Sequence, residues 1–329
     1  IQLFVVPALI VAAIVLLWVA INWLANSGSE DPEQIVRSLR RSNQARFQAA
    51  KELADMLRMP GRYPELKSSR ELALGLAEML DEMVDQGSEV ESDVTMRWIV
   101  AGALGEFAVD DGLDSLLKTA QKDPQRDVRR KAVNAIAVLG QTYANREPPQ
   151  PLAHVDLADV LSQLANQPDD RLLRSEAAFA LGVLAQPPGA DSRYVDELAL
   201  LAEDPFPDAR YNAANGLARI GDLRALETIV EMLDLEAIEA SVEGERKFSD
   251  QVSDASLARQ RGDKRNLILK NAMGAVGSLL ERRSPAELAV LQEPLLRFVA
   301  QAPQVDQPRP IPDTYVAAAQ DLLDKLAPN

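Results

Sequence analysis

The stretch Val128–Gly140, VRRKAVNAIAVLG, decides how this chain is read. Val128, Ala132, Ala135, Ile136 and Leu139 recur at steps of three and four residues, which places them on one face of a helix. Asp127 stands at its start, where free backbone N–H groups and the helix dipole favour an acid. Gly140 stands where a helix-ending glycine is expected. The pattern returns as MRWIVAGALGEF from Met96, LRSEAAFALGVL from Leu173 and ARYNAANGLARIG from Ala209. Looser copies are ILKNAMGAVGSL from Ile268 and ARFQAAKELADML from Ala45. One such unit cannot bury its apolar face alone, so the copies must stack.

Two positions recur within the copies. Val100, Ala132, Ala177, Ala213 and Ala272 share one, and small side chains there let neighbouring helices approach. Arg97, Arg129, Arg174 and Arg210 share the other. They read either as a track for an acidic partner or as an internal Arg–Asp ladder. The ladder is favoured, because Arg129 and Arg210 each follow an Asp-x pair. A second helix follows each first one, with stripes Leu113/Leu116/Leu117/Ala120, Leu157/Val160/Leu161/Leu164, Val195/Leu198/Leu201 and Leu226/Ile229/Val230/Leu233.

These motifs resemble HEAT repeats of the short bacterial kind that includes the phycobilisome-lyase-like subgroup. The theme covers Asp93 to about Leu233 closely, and Asn43–Met83 and Arg265–Phe298 loosely. The resemblance implies an all-α fold, a HEAT-like α-solenoid of about five to six helix pairs over residues 43–329. It also implies a surface for protein binding, with the second helices lining the concave side. Helical phase then offers Lys118, Gln163, Glu197, Glu227 and Glu231 as protein-binding candidates. Charge reversal at the last two is expected to weaken a partner complex. The repeat does not specify a bilin pocket.

The copies are unevenly spaced, and three insertions account for it: 141–156, 186–193 and 234–264. The first two fall between first and second helices and belong to one edge of the array. The third, charged and carrying Phe248, reads as a helical excursion, a segment that orders on a partner, or a solvated loop. Residues 301–312 are proline-rich, and an amphipathic helix over 313–326 is expected to cap the array.

Chemistry is sparse. There is no cysteine, so thiolate nucleophiles and Cys-based metal sites are excluded. The one histidine, His154, sits in a proline-rich insertion with no serine or cysteine partner set. No glycine-rich phosphate loop is present. The acidic pairs Asp110-Asp111 and Asp169-Asp170 fit turn and capping chemistry, with a weak calcium site as the alternative. The expectation is therefore no enzyme, no cofactor and no metal. A net charge of −15 argues against nucleic acid, whose phosphates need lysine and arginine.

Leu3–Leu24 carries no charge, and about 22 helical residues span a hydrocarbon layer of roughly 30 Å. Residues 1–26 are accordingly expected to be a transmembrane anchor in contact with the bilayer through 3–24, and 27–42 a polar linker and entry helix. A cleaved signal peptide is the alternative, with Ala25-Asn26-Ser27 as a faint cleavage site. The localisation expected is single-pass in the cytoplasmic (inner) membrane, with the solenoid leaning to the periplasmic side. The function expected is a membrane-anchored scaffold or accessory subunit for another protein, such as a transporter complex. A self-associating envelope protein comes second, and a small-ligand binder or enzyme using an insertion-covered groove third.

Overall fold

The computed structural model describes residues 38, 44–59, 61, 63–243, 253–305 and 309–327. The expected anchor and, apart from residue 38, the expected linker lie outside these residues, as does Phe248. The described residues form helices and no strand. In chain order they are α1 Gln44–Leu57, α2 Pro64–Lys67, α3 Arg70–Gln86, α4 Glu91–Leu104 and α5 Leu113–Lys122. Next come α6 Arg126–Ala144, α7 Leu157–Ala165, α8 Arg171–Leu184, α9 Arg193–Leu201 and α10 Pro207–Arg219. The last are α11 Leu226–Leu233, α12 Leu235–Glu243, α13 Asp254–Leu280, α14 Gln292–Gln301 and α15 Asp313–Leu326.

The helices stack in two rows. Helices α1, α4, α6, α8, α10 and α13 follow one another in the first row. The second row runs α3, α5, α7 and α9, then α11 and α14, and α15 closes the end against α13 and α14. The shared small position lies between the rows: Val100, Ala132, Ala177, Ala213 and Ala272 are fully buried. The second-helix stripes meet them from the other side, and Leu116, Leu157, Leu161, Leu198 and Ile229 are equally inaccessible. One continuous core therefore runs the length of the array.

One detail differs from the sequence reading, and one of its open alternatives, the helical excursion, is found. Gly140 does not end its helix; α6 continues to Ala144. The glycine is needed for a close approach instead, since a Cβ there would lie 2.7 Å from Leu184 Cδ2 of the next first-row helix. The 234–264 segment is not a loop where it is described. Its first part forms α12, which buries Ile238 and Val242, and its last part is the start of α13.

Three of the four shared arginines, Arg97, Arg129 and Arg174, tie their helices to two turns. Arg97 Nε donates to Asp123 Oδ2 at 2.6 Å, and its Nη1 donates to the Ser88 carbonyl at 2.8 Å. Both side chains of the Arg97–Asp123 pair are fully buried. Arg174 repeats the arrangement one step further, reaching Asp204 at 2.7 and 3.0 Å and the Gln167 carbonyl at 2.9 Å. Arg129 donates back to the Asp123 carbonyl at 2.8 Å and lies 3.6 Å from Asp170, while Arg130 holds Asp170 at 2.7 Å. Arg210 reaches back to the Asp204 carbonyl at 2.6 Å, but its forward partner is Glu231 on α11. The aspartates also fasten their own turns: Asp123 accepts from the Gln125 amide and Asp204 from the Phe206 amide.

Among the described residues, no helix is long and apolar enough to cross a membrane. The single-pass inner-membrane expectation is thereby corrected and is not carried forward; the 3–24 segment on which it rested lies outside the described residues.

A buried ion pair costs more to break than to replace by apolar groups. Asp123→Asn keeps the turn but leaves the buried Arg97 cation uncompensated, and is expected to lower the unfolding free energy by about 3–5 kcal/mol. Arg97→Met combined with Asp123→Leu is expected to recover most of that loss. Urea titrations of the three proteins check both outcomes.

Candidate functional site

The five candidates chosen from helical phase all lie in the second row, and four of them are already engaged. Lys118 pairs with Asp85 at 2.8 Å and Asp81 at 3.6 Å. Gln163 accepts from Gln121 at 3.1 Å, bridging α5 and α7. Glu197 accepts from the Ser162 hydroxyl and from Asn166, bridging α7 and α9. Glu231 holds Arg210 and the Tyr211 hydroxyl. Its charge reversal would break a contact within the array before it touched a partner. Gln163 and Glu227 are the exposed members of the five. Lys118 and Gln163 border a shallow 420 Å³ cleft between α5 and α7. His154 reaches its rim, with Nε2 2.7 Å from Asp114 Oδ1.

The first row presents a different surface. In the middle of the array its helices sit backbone to backbone: a Cβ on Gly182 of α8 would lie 2.8 Å from the Gly216 Cα of α10. The corresponding second-row helices meet through longer polar side chains such as Gln121–Gln163 and Arg193–Asp159. A two-layer stack bends toward its more closely spaced row. The first helices, not the second, therefore take the inner side of this stretch.

Side chains on that inner face fall into two groups. Around α4, α6 and α8, Trp98 is 41% exposed and the Lys131 ammonium sits 4.9 Å from its ring centre. Burial, with Arg58 nearby, pulls the Lys131 pKa down. Burial pushes the Glu176 carboxyl above its usual range, opposed by a hydrogen bond with Asn134 and by the charges of Lys131 and Arg130.

The second group lines a groove between α10 and α13. Asp208, Tyr211, Asn212, Asn215 and Arg219 recur at steps of three and four residues on α10 and so share one face. Two adjoining cavities of 340 and 480 Å³ open along it and share Asn212 and Asn271. At one end Lys264 meets Asp208 at 3.0 Å and Arg309 meets Asp263 at 2.7 Å, beside Leu267, which is 55% exposed. At the other end stand Arg219, Lys270, Ser278 and the partly buried Phe179. Burial alone lowers the Arg219 pKa, and no partner of its guanidinium is present among the described residues. Phase-based reasoning missed this group because it favoured second helices. The polar run Asn212, Asn215, Arg219 on an otherwise Ala/Leu-rich helix was the available signal. Among the described residues no His/Cys/Asp/Glu cluster could hold a metal ion.

The sequence at residues 86–182 and 157–241 matches the HEAT-repeat family. This part of the chain consists of HEAT repeats. No curated protein matches the chain in sequence. Among solved structures, the array is similar to YibA of Escherichia coli, at 20% identity and a TM-score of 0.40, over 89% of this chain and 92% of that one. It is also similar to human deoxyhypusine hydroxylase in complex with glycerol, at 18% identity and a TM-score of 0.28, over 89% and 95%. The expectation that the chain is no enzyme is corrected here. One of these similar structures is an enzyme by name, and the expectation is not carried forward. At these scores the likenesses bring no activity to this chain.

The raised Glu176 pKa means that the folded state favours its protonated form. Stability contributed at this site is therefore lost as pH rises above the ordinary value of 4.5. Glu176→Gln is expected to melt at a higher temperature than the parent at pH 7, with the two converging below pH 4.5. A variant less stable at pH 7 would mean that attraction to Lys131 outweighs the cost of burial.

Proposed function

We propose that this chain is a protein-binding scaffold whose partner lies on the inner face of the first helices. The observation that carries the reading is the groove between α10 and α13, bordered also by α8 and so built from residues of three successive repeats. HEAT repeats at 86–241 support it, since stacked helical repeats offer extended surfaces to partners. So does the mixture along the face. Trp98 and Leu267 offer exposed apolar area, Phe179 lines the groove, and asparagines supply donors and acceptors. The second row is the weaker candidate, because four of the five polar side chains considered there are engaged within the array. This reading needs no membrane.

The test compares the two rows in one affinity purification. Phe179→Arg and Leu267→Arg alter the first-row face; Gln163→Arg and Glu227→Arg alter the second. Recovery of a stoichiometric partner is expected to fall at least tenfold for the first pair and to stay at the parental level for the second. The opposite pattern returns the binding surface to the second helices. A chain recovered only with copies of itself would replace the scaffold reading with self-association.

A further inference from the structure

Arg219 is the last residue of α10 and is half-buried at the end of the 340 Å³ cavity. Lys270 lines the same cavity from α13, and no aspartate or glutamate lines it. That is unusual for this chain. It carries 50 acidic residues against 35 basic ones, and arginines such as Arg97, Arg130, Arg174, Arg210 and Arg265 all have a carboxylate partner. A guanidinium withdrawn from water without an anion is costly unless an anion arrives from elsewhere.

We infer that this basic end of the groove receives a carboxylate of an acidic peptide segment, with Arg219 as its principal contact. The inference rests on the scaffold reading and names the chemistry of the partner at that face. A planar guanidinium takes a carboxylate in a two-pronged hydrogen bond, and Lys270 adds a second charge. Asn215, Asn271 and Ser278 line the same cavity and offer both donors and acceptors to a peptide main chain.

The length of the groove favours a segment over a small free acid. Asp208 and Arg219 bound it on α10, and eleven helical steps cover about 16 Å at ~1.5 Å per residue. An extended chain advances ~3.3 Å per residue, so about five residues fit. At the far end the charges are already paired, Asp208 with Lys264 and Asp263 with Arg309, and Leu267 is exposed. The matching segment is thus apolar at one end and acidic at the other.

Fluorescence anisotropy on the full chain tests this with labelled five-residue peptide pools. Each pool has a leucine at one end and a glutamate at the other, in both orders, with glutamine replacing glutamate in the controls. One glutamate pool is expected to bind at least tenfold more tightly than its glutamine control. Arg219→Gln is expected to erase that difference without lowering the melting temperature, and Lys270→Gln to reduce it about threefold. Equal binding of the pools, no binding of either, or a difference that survives Arg219→Gln overturns the inference. Displacement by succinate at the same concentration as by unlabelled peptide also overturns it, in favour of a small-acid site. If Arg219→Gln has no effect while Leu267→Arg still abolishes partner recovery, the scaffold reading stands and only the carboxylate is lost.

Discussion

The contact on which the array depends is the arginine that joins one first helix to the turn ahead and the turn behind. Arg97 and Arg174 each hold an aspartate of the following turn and a carbonyl of the preceding one. Stability alone is a weak account of such pairs, because desolvation consumes much of the attraction. Their geometry is more informative. A guanidinium presents its donors in a fixed plane, so meeting two turns at once fixes the angle and spacing of successive helices. Apolar burial makes the stack favourable but is non-directional. The arginines supply the direction.

Spacing then creates the surface. Glycines at 182 and 216 bring α8 and α10 into backbone contact, and Gly140 of α6 makes room for the Leu184 side chain of α8. A small gain in proximity on one row, repeated along the stack, places that row on the inner side. The regular pattern changes at α13, which is 27 residues long and follows the α12 excursion. The Arg–Asp link changes at the same place: Arg210 turns to Glu231 instead of an aspartate at the next turn. The groove lies at this irregularity, between α10 and α13.

Much of this was legible in the sequence, and the reasons are specific. The helical copies could be read because their apolar spacing matches the period of a helix, and the 313–326 cap was placed at its observed bounds. Gly140 was misread because a glycine that ends a helix and one that admits a neighbour look alike in one dimension. Which row lies inside could not be read, since it follows from distances between helices far apart in sequence. Arg219 was passed over for the same kind of reason. Its lack of an anion is a property of its surroundings, and nothing in ANGLARIG records it.

Hydrogen exchange on the full chain carrying Asp204→Asn is the most direct test of this account. Asp204 is the link between α8 and α10, and Arg210 donates to its carbonyl. If the arginine contacts set the geometry of successive repeats, exchange will rise together in α8 and α10, including the groove residues 212–219. An increase confined to the turn at 204–206 would contradict the account and leave apolar packing alone to position the repeats.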